Sequence, residues 1–438
     1  MRLPAAFEQR MSAQLGGEYA AFLRALSAPP VRGLRVNAQR ISAEEFKKIS
    51  PWELRPTEIL EEGFVLPNGV RSIGSHPFHA AGLFYMQEPS AMSAVAEAKK
   101  YIHQDMRILD MCAAPGGKSG GVAACMEGGL IVCNEVTPNR AKTLQFTLER
   151  LGVMNAAVIS ARPDAVAAAL PEYFDMVLVD APCSGEGMFR KDETAIGEWS
   201  PEHVSSCALR QRAILKSAYE CLAQNGVLIY STCTFSREEN EDNVDFMLKE
   251  YPDMELASML RLYPHTSCGE GHFAAVMRKT AGGRREFPDM RLAACREDVC
   301  HEFITNSVEL MPQGEIVELP DGRVMLMPTA LPTPLKALKL LTAGIYLGDT
   351  VKSRFEPSHA LVMATGVRMR SRVELDMRDV RLNKYLSGET IHSDISGGWC
   401  SVCVGTYPVG LGKAVEGTVK NHIPKGLRIN LFAGNDLV

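Results

Sequence analysis

The sequence predicts an α/β fold centred on a Rossmann-like parallel sheet, with an amino-terminal α/β accessory unit and a carboxy-terminal β-rich module. Three observations carry this prediction. Continuous apolar strand-length runs alternate with helical patterns between residues 90 and 235, a small-residue loop follows the first run, and each polar motif lies just past a strand's carboxyl end. Apolar runs of this kind are strands covered on both faces. Sheets so built bind ligands beyond the carboxyl ends of their strands.

Residues 1–90 mix a helical pattern over Phe7–Leu26 with an extended stretch at Gly33–Asn37 and the prolines Pro29, Pro30, Pro51, Pro56, Pro67 and Pro77, which gives the accessory unit. The regular pattern occupies residues 91–280, opening with a helix over Ser90–Lys100. The expected strands are Arg107–Met111, Leu130–Glu135, Ala156–Ile159, Asp175–Asp180 and Gly226–Ser231. A helix over Pro138–Leu151 carries its proline at an early position, where the missing amide costs nothing. Thr280–Glu286 turns polar and glycine-rich and reads as a linker. Residues 281–365 form the linker and a weakly patterned first carboxy-terminal unit, and 366–438 the β-rich module of short strands between glycine turns.

At 438 residues the chain exceeds the size at which one core keeps growing, so several structural units are expected. No apolar run has the length of a membrane span and no secretory signal pattern stands at the start, so a cytoplasmic protein without membrane association, and a monomer, is expected. Twelve cysteines are too few for a disulfide scaffold and read mainly as buried small hydrophobes. A net charge of −5 argues against indiscriminate polyanion binding but leaves room for a local basic face.

The loop Cys112-Ala113-Ala114-Pro115-Gly116-Gly117-Lys118 follows Asp110, and its small residues let a ligand approach the backbone at the opening of a helix. Phosphate and the carboxylate of S-adenosylmethionine are both candidates. A P-loop needs glycine where Cys112 stands, and the other strand with an acidic end continues Asp180-Ala-Pro-Cys183, where a magnesium site has no use for a thiol. A P-loop-like nucleotide triphosphatase therefore remains only an alternative. Glu135 ends the second strand, where an acid can accept hydrogen bonds from ribose hydroxyls. The G-x-G-x-x-G loop of a nicotinamide enzyme is absent.

Asp180-Ala-Pro-Cys183 and Ser231-Thr-Cys233 each set a thiol just beyond a strand end. Carbon 5 of cytosine is a poor nucleophile. A thiolate adding at carbon 6 makes it electron-rich enough to take a sulfonium methyl, so a cysteine and this cofactor belong together. A second thiol can assist release, and Asp180 can hydrogen-bond the base and stabilise the protonated ring. The base must leave its stack, which favours single-stranded, looped or remodelled RNA. Cys400-Ser-Val-Cys403 has metal-ligand spacing, but only Cys295 and Cys300 are available to complete a set, so no metal is expected and β-rich packing is the reading.

With these residues assembled, the chain resembles the RsmF-type branch of the Nol/Nop/Sun RNA cytosine-5 methyltransferases over nearly its whole length. The segments are Gln87–Met92, Cys112–Lys118, Asn134–Arg140, Asp180–Arg190, Ser231–Phe235 and Gly269–Phe273. The resemblance implies a class I methyltransferase domain with S-adenosylmethionine contacts from residues 112–118, Glu135, Asp164 and Asp180, and with Lys118 and Arg140 in support. It makes Cys233 the nucleophile and Cys183 the release cysteine. On spacing alone Asp164 is as readily a helix N-cap. The resemblance also implies a PUA-like RNA-binding module. There Lys413, Lys420, Lys425 and Arg428, with Arg368, Arg370 and Arg372, offer cations to phosphates. Small-subunit (16S) ribosomal RNA is the substrate it implies first and transfer RNA the second. A chain that had lost catalysis would have lost Cys233 or the cofactor loop. A DNA enzyme would place its nucleophile in a Pro-Cys pair, as at Cys183, whereas the Thr-Cys at Cys233 points to RNA.

Overall fold

In the computed structural model the described residues are 3–295, 298–319 and 321–429. Helices Ala5–Leu15 and Tyr19–Ser27 lead into a small antiparallel sheet of β1 (Gly33–Val36), β2 (Arg55–Pro56), β3 (Gly63–Val65) and β4 (Phe84–Met86), ordered β2-β3-β1-β4. Ser42 and Glu45 form a capping box that starts the Ala43–Ile49 helix across this sheet's connection.

The central sheet contains β5 (Arg107–Asp110), β6 (Leu130–Asn134), β7 (Ala156–Ile159), β8 (Phe174–Asp180), β9 (Leu222–Thr232), β10 (Met254–Leu262) and β11 (His272–Lys279). Their order is β10-β11-β9-β8-β5-β6-β7, and Leu340–Ala343 adds an eighth strand at the β7 edge. Strands β5 to β9 are parallel, whereas β11 and the eighth strand pair antiparallel with their neighbours. The order reverses at β5, which has β6 on one side and β8 on the other, so the ligand crevice is expected beyond β5 and β8.

Burial explains why these strands read as unbroken apolar runs. Ile108, Ile131, Met176 and Ile229 pack on one face with Leu144 and Leu148 of the Pro138–Leu151 helix. Their sequence neighbours Leu109, Val132, Val177 and Leu228 or Tyr230 pack on the other, with Ile214 and Leu215 of the Pro201–Cys221 helix. Ser200 caps that long helix by accepting from the His203 amide, and Pro201 occupies its first turn.

Beyond the central sheet, strands Ala293–Ala294, Glu315–Glu318, Arg323–Met327, Ile345–Val351 and Arg354–Pro357 form a five-stranded sheet in the region the sequence left weakly patterned. The last sheet contains Arg372–Leu375, Gly397–Val404, Tyr407–Val415, Thr418–Asn421 and Ile391–His392. Residues 430–438 of the expected β-rich module lie outside the described residues. Cys400 and Cys403 are buried within strand Gly397–Val404. The two ends of the chain share a core: Leu34, Phe64 and Phe84 cluster with Tyr385, Val402 and Val419. Among the described residues no helix is long and apolar enough to cross a membrane.

Candidate active site

Strand β5 delivers Asp110 to the crevice and the chain turns into the 112–118 loop. The Ala113 amide bonds the Asn134 carbonyl at 2.8 Å and the Asn134 side chain donates to the Met111 carbonyl at 3.1 Å, which ties this turn to the end of β6. Gly116 takes φ +106°, a conformation that excludes side chains in practice. A Cβ on Gly117 would sit 2.5 Å from the Tyr85 ring, so glycine there lets the accessory unit close onto the loop. The result is a cavity of about 200 Å³ walled by the 112–118 loop, Asp110, Asp180 and, from the accessory unit, Tyr85, Gln87 and Glu88.

Glu135 is buried, accepts from the Thr137 amide at 2.8 Å, and lies 3.3 Å from the Arg140 guanidinium. Arg140 in turn donates to the Ala114 carbonyl at 3.0 Å, so Glu135, Arg140 and the loop form one connected wall. Val136 beside them is an exposed apolar side chain. Asp164 stands apart. It is exposed in the first turn of the Pro163–Ala169 helix, 3.0 Å from Arg162, whose hydrogen bonds hold its carboxyl below the usual range.

At the end of β8, Asp180 Oδ2 accepts from Lys118 Nζ at 2.7 Å and Oδ1 from Ser231 Oγ at 2.9 Å. Burial pushes the Asp180 carboxyl up, but the Lys118 ammonium and the hydrogen bonds outweigh it, so it stays a carboxylate. The same pairing holds Lys118 charged against its own burial. His272, at the start of β11, lies 4.0 Å from Asp180 Oδ1 with both ring nitrogens buried and unpartnered. Burial and then Lys118 push it down to about 3, so it is neutral. Burial also drives Asp110 up to about 7, although Ser119 Oγ donates to it at 2.7 Å.

Cys183 and Cys233 leave the ends of the neighbouring strands β8 and β9 and bring their Sγ atoms to 3.3 Å. Both are half-buried free thiols. Contact with Cys233, then burial, pushes the Cys183 thiol well above the ordinary range. Cys112 lines the cavity, and burial, with Asp110 adding to it, pushes its thiol up.

The structure thus brings the 112–118 loop, Glu135, Arg140, Asp180 and both cysteines to one crevice, with Asp164 at a distance from their hydrogen-bond network. Sequence reasoning assigned no role to Ser231 and His272, although both lie in the quoted segments, because their parts depend on the β8–β9–β11 pairing. Tyr85, Gln87 and Glu88 were missed as cavity walls because their part depends on how the accessory unit closes onto the 112–118 loop. Of the module's cations, Arg368 and Arg372 are both paired with Glu309, while Lys420, Lys425 and Arg428 are exposed.

Four family models match the chain in succession. The N-terminal domain of 16S rRNA methyltransferase RsmF matches residues 3–89, and 16S rRNA methyltransferase RsmB/F matches 100–278. The RsmF first C-terminal domain matches 302–365, and the methyltransferase RsmF PUA domain matches 372–429. Ribosomal RNA small subunit methyltransferase F of Vibrio vulnificus is 32% identical over 441 residues, covering 93% of each chain. The Klebsiella pneumoniae protein described in the same words is 32% identical over 472 residues, covering 98% of each. A methyltransferase homologue of Pyrococcus horikoshii superposes with a TM-score of 0.54 at 27% identity, covering 63% of this chain and all of that one. Family models in register from end to end, and relatives matched over almost their whole length, place an rRNA methyltransferase fold around this crevice: the chain belongs to the RsmF family of 16S rRNA methyltransferases.

Proposed function

We propose that this chain methylates carbon 5 of a cytidine in small-subunit ribosomal RNA, with Cys233 as nucleophile and Cys183 as the residue that assists release. The observation that carries this reading is the 3.3 Å pair of thiols at the ends of β8 and β9, beside the cavity that the 112–118 loop walls. A methylation that needed no covalent activation would have no use for two cysteines there.

S-adenosylmethionine fits the residues present. Asp110 Oδ1 is a buried acceptor with no partner at the cavity wall, suited to the ammonium of the methionine moiety. Glu135 at the end of β6 suits the ribose hydroxyls. Asp164, exposed and paired with Arg162, is the outermost of the proposed contacts and serves the adenine edge. When bound, the cofactor supplies an electrophilic sulfonium methyl.

The chain's own residues do the rest. The Cys233 thiolate adds to carbon 6, forming an S–C bond and leaving the electron pair of the former double bond at carbon 5. Asp180, held ionised by Lys118, accepts hydrogen bonds from the exocyclic amine and from the N3–H of a ring that has taken a proton from water, and so stabilises the protonated ring, whose positive charge draws density away from carbon 6. After carbon 5 has taken the methyl, it loses its proton to a water molecule and the S–C6 bond breaks, restoring the double bond and the Cys233 thiolate. Cys183 stands 3.3 Å from the departing sulfur and donates its S–H there, easing the sulfur's departure. The PUA module grips phosphates through Lys413, Lys420, Lys425 and Arg428. The substrate puts the protein in the cytoplasm.

The test is a denaturing gel of Cys183→Ala and Cys233→Ala incubated with labelled 16S ribosomal RNA and S-adenosylmethionine, with 5-methylcytosine mapped in the wild-type reaction. A retarded band for Cys183→Ala alone is expected, with no product from Cys233→Ala. An adduct from Cys233→Ala instead would reverse the roles, and wild-type product on transfer RNA but not on ribosomal RNA would overturn the substrate.

A further inference from the structure

Two buried glutamates outside the cofactor wall join the loops that carry the thiols, and they do so reciprocally. Glu186, three residues after Cys183, is fully buried and accepts the Phe235 amide at 2.9 Å, two residues after Cys233. Glu239, six residues after Cys233, is likewise buried and accepts the Ser184 amide at 3.0 Å and the Ser184 hydroxyl, next to Cys183. The Ser184 and Thr234 hydroxyls meet at 2.9 Å, and the Gly187 amide donates to the Cys233 carbonyl at 2.8 Å. A Cβ on Gly187 would meet that carbonyl at 2.8 Å, so the close approach requires glycine.

The two carboxylates are compensated differently. Glu239 has the neutral donor Gln211 at 2.8 Å, and burial raises its carboxyl despite the Ser184 hydrogen bonds. Glu186 has a cation, Arg10, which reaches it from the Ala5–Leu15 helix, and the Trp199 indole donates to the same oxygen at 2.8 Å. That helix also sends Gln14 to the Phe235 carbonyl at 3.1 Å, so it touches both loops, at Glu186 after Cys183 and at Phe235 after Cys233. A buried carboxylate deprived of its cation leaves its site or takes up a proton, and either breaks or weakens the hydrogen bonds it makes.

We propose that Glu186 and Glu239 are reciprocal positioning residues that fix the separation of Cys183 and Cys233, and that Arg10 belongs to this frame by neutralising Glu186. The accessory unit then contributes to the geometry of the thiol pair itself. This rests on the two-cysteine reading above, so its first readout is independent of methylation. Diamide takes two hydrogens from a pair of thiols and leaves a disulfide, at a rate that depends on how the sulfurs are held.

The experiment compares full-length Arg10→Ala, Glu186→Gln, the double variant Arg10→Ala/Glu186→Gln, Glu239→Ala and Glu239→Gln. It follows Cys183–Cys233 disulfide formation by peptide mass spectrometry, then kcat and KM for RNA and S-adenosylmethionine. Arg10→Ala and Glu239→Ala are expected to slow cross-linking and lower kcat by about 10- to 100-fold, the cost of a reacting group displaced by about 1 Å, with the cofactor KM within about twofold. The double variant, which carries no uncompensated charge, recovers part of the loss, and Glu239→Gln stays closer to wild type than Glu239→Ala. Wild-type cross-linking in Arg10→Ala, or a double variant no better than Arg10→Ala, would overturn the proposal. Cross-linking that follows the expected pattern in a protein that methylates no cytidine would leave the frame standing and sink the reaction instead.

Discussion

Which of two thiols in contact surrenders its proton depends on what else surrounds each. Contact with Cys233 and burial both disfavour the Cys183 thiolate. Brief treatment with iodoacetamide should therefore alkylate Cys233 ahead of Cys183, and peptide mass spectrometry reads the order directly. Equal labelling of the pair would remove the asymmetry on which the roles rest. Asp110 yields a pH prediction. Its carboxyl moves from an ordinary 3.8 to about 7 because it is buried. A raised carboxyl stabilises the fold fully only below its unfolded value, and that contribution is lost as pH rises through the folded one. Asp110→Asn should thus gain on wild type in melting temperature across about pH 4 to pH 8, and a constant difference over that window would contradict it. At this scale the chemistry was legible in the sequence wherever a residue type is rare at a strand end, as for Cys183, Cys233 and Asp180. It was not legible for His272, Glu186 or Glu239, whose partners lie tens of residues away and are set by strand pairing.

The elements explain why most of the sheet was readable and part of it was not. Strands β5 to β9 are buried on both faces, so their apolar runs stand out against the helices between them. Strand β9 begins at Leu222, earlier than the apolar run from Gly226, because the polar Gln224 and Asn225 precede that run. Strands β10 and β11 were missed. β10 is an edge strand with an exposed face, and β11 runs antiparallel beside β9, a placement that local pattern does not encode. The eighth strand comes from Leu340–Ala343, beyond the expected linker, and its membership in the central sheet is purely tertiary. The cofactor loop is the element whose local geometry matters most. Gly116 has φ +106°, and an added Cβ would meet Thr147 and Leu144 at 3.0 and 3.1 Å. Gly116→Ala should cost about 1–3 kcal/mol in stability and weaken S-adenosylmethionine binding, whereas a substitution at the exposed Gly17, with nothing within 4 Å, should do neither. Calorimetric titration with the cofactor separates the two, and equal affinities would show that the loop tolerates the change.

Across the whole molecule, the accessory unit meets the carboxy-terminal module in a single apolar cluster. Leu34, Phe46, Phe64 and Phe84 cluster with Tyr385, Leu382, Val402 and Val419. That cluster draws about equally on both ends of the chain, so the module supplies half of the core on which the β1–β4 sheet packs. That dependence has a chemical consequence, because the accessory unit holds Tyr85 against the cofactor loop and Arg10 against Glu186. A chain ending after residue 365 is therefore expected to lose more than RNA grip. Amide hydrogen-exchange protection should fall in β1, β3 and β4 while β5, β8 and β9 stay protected. Methyl transfer to a short RNA that never reaches the PUA module should fall with it. Tyr385→Ala offers the same test without truncation: its ring is fully buried and its hydroxyl donates to the Leu411 carbonyl at 2.7 Å, so its loss should cost about 3–5 kcal/mol. If β1, β3 and β4 kept their protection in both variants, the two ends of the chain would be independent, and the module's part would reduce to holding RNA. If protection falls and short-RNA turnover falls in parallel, the module acts on the thiol pair through the accessory unit, and binding and geometry are coupled by one core.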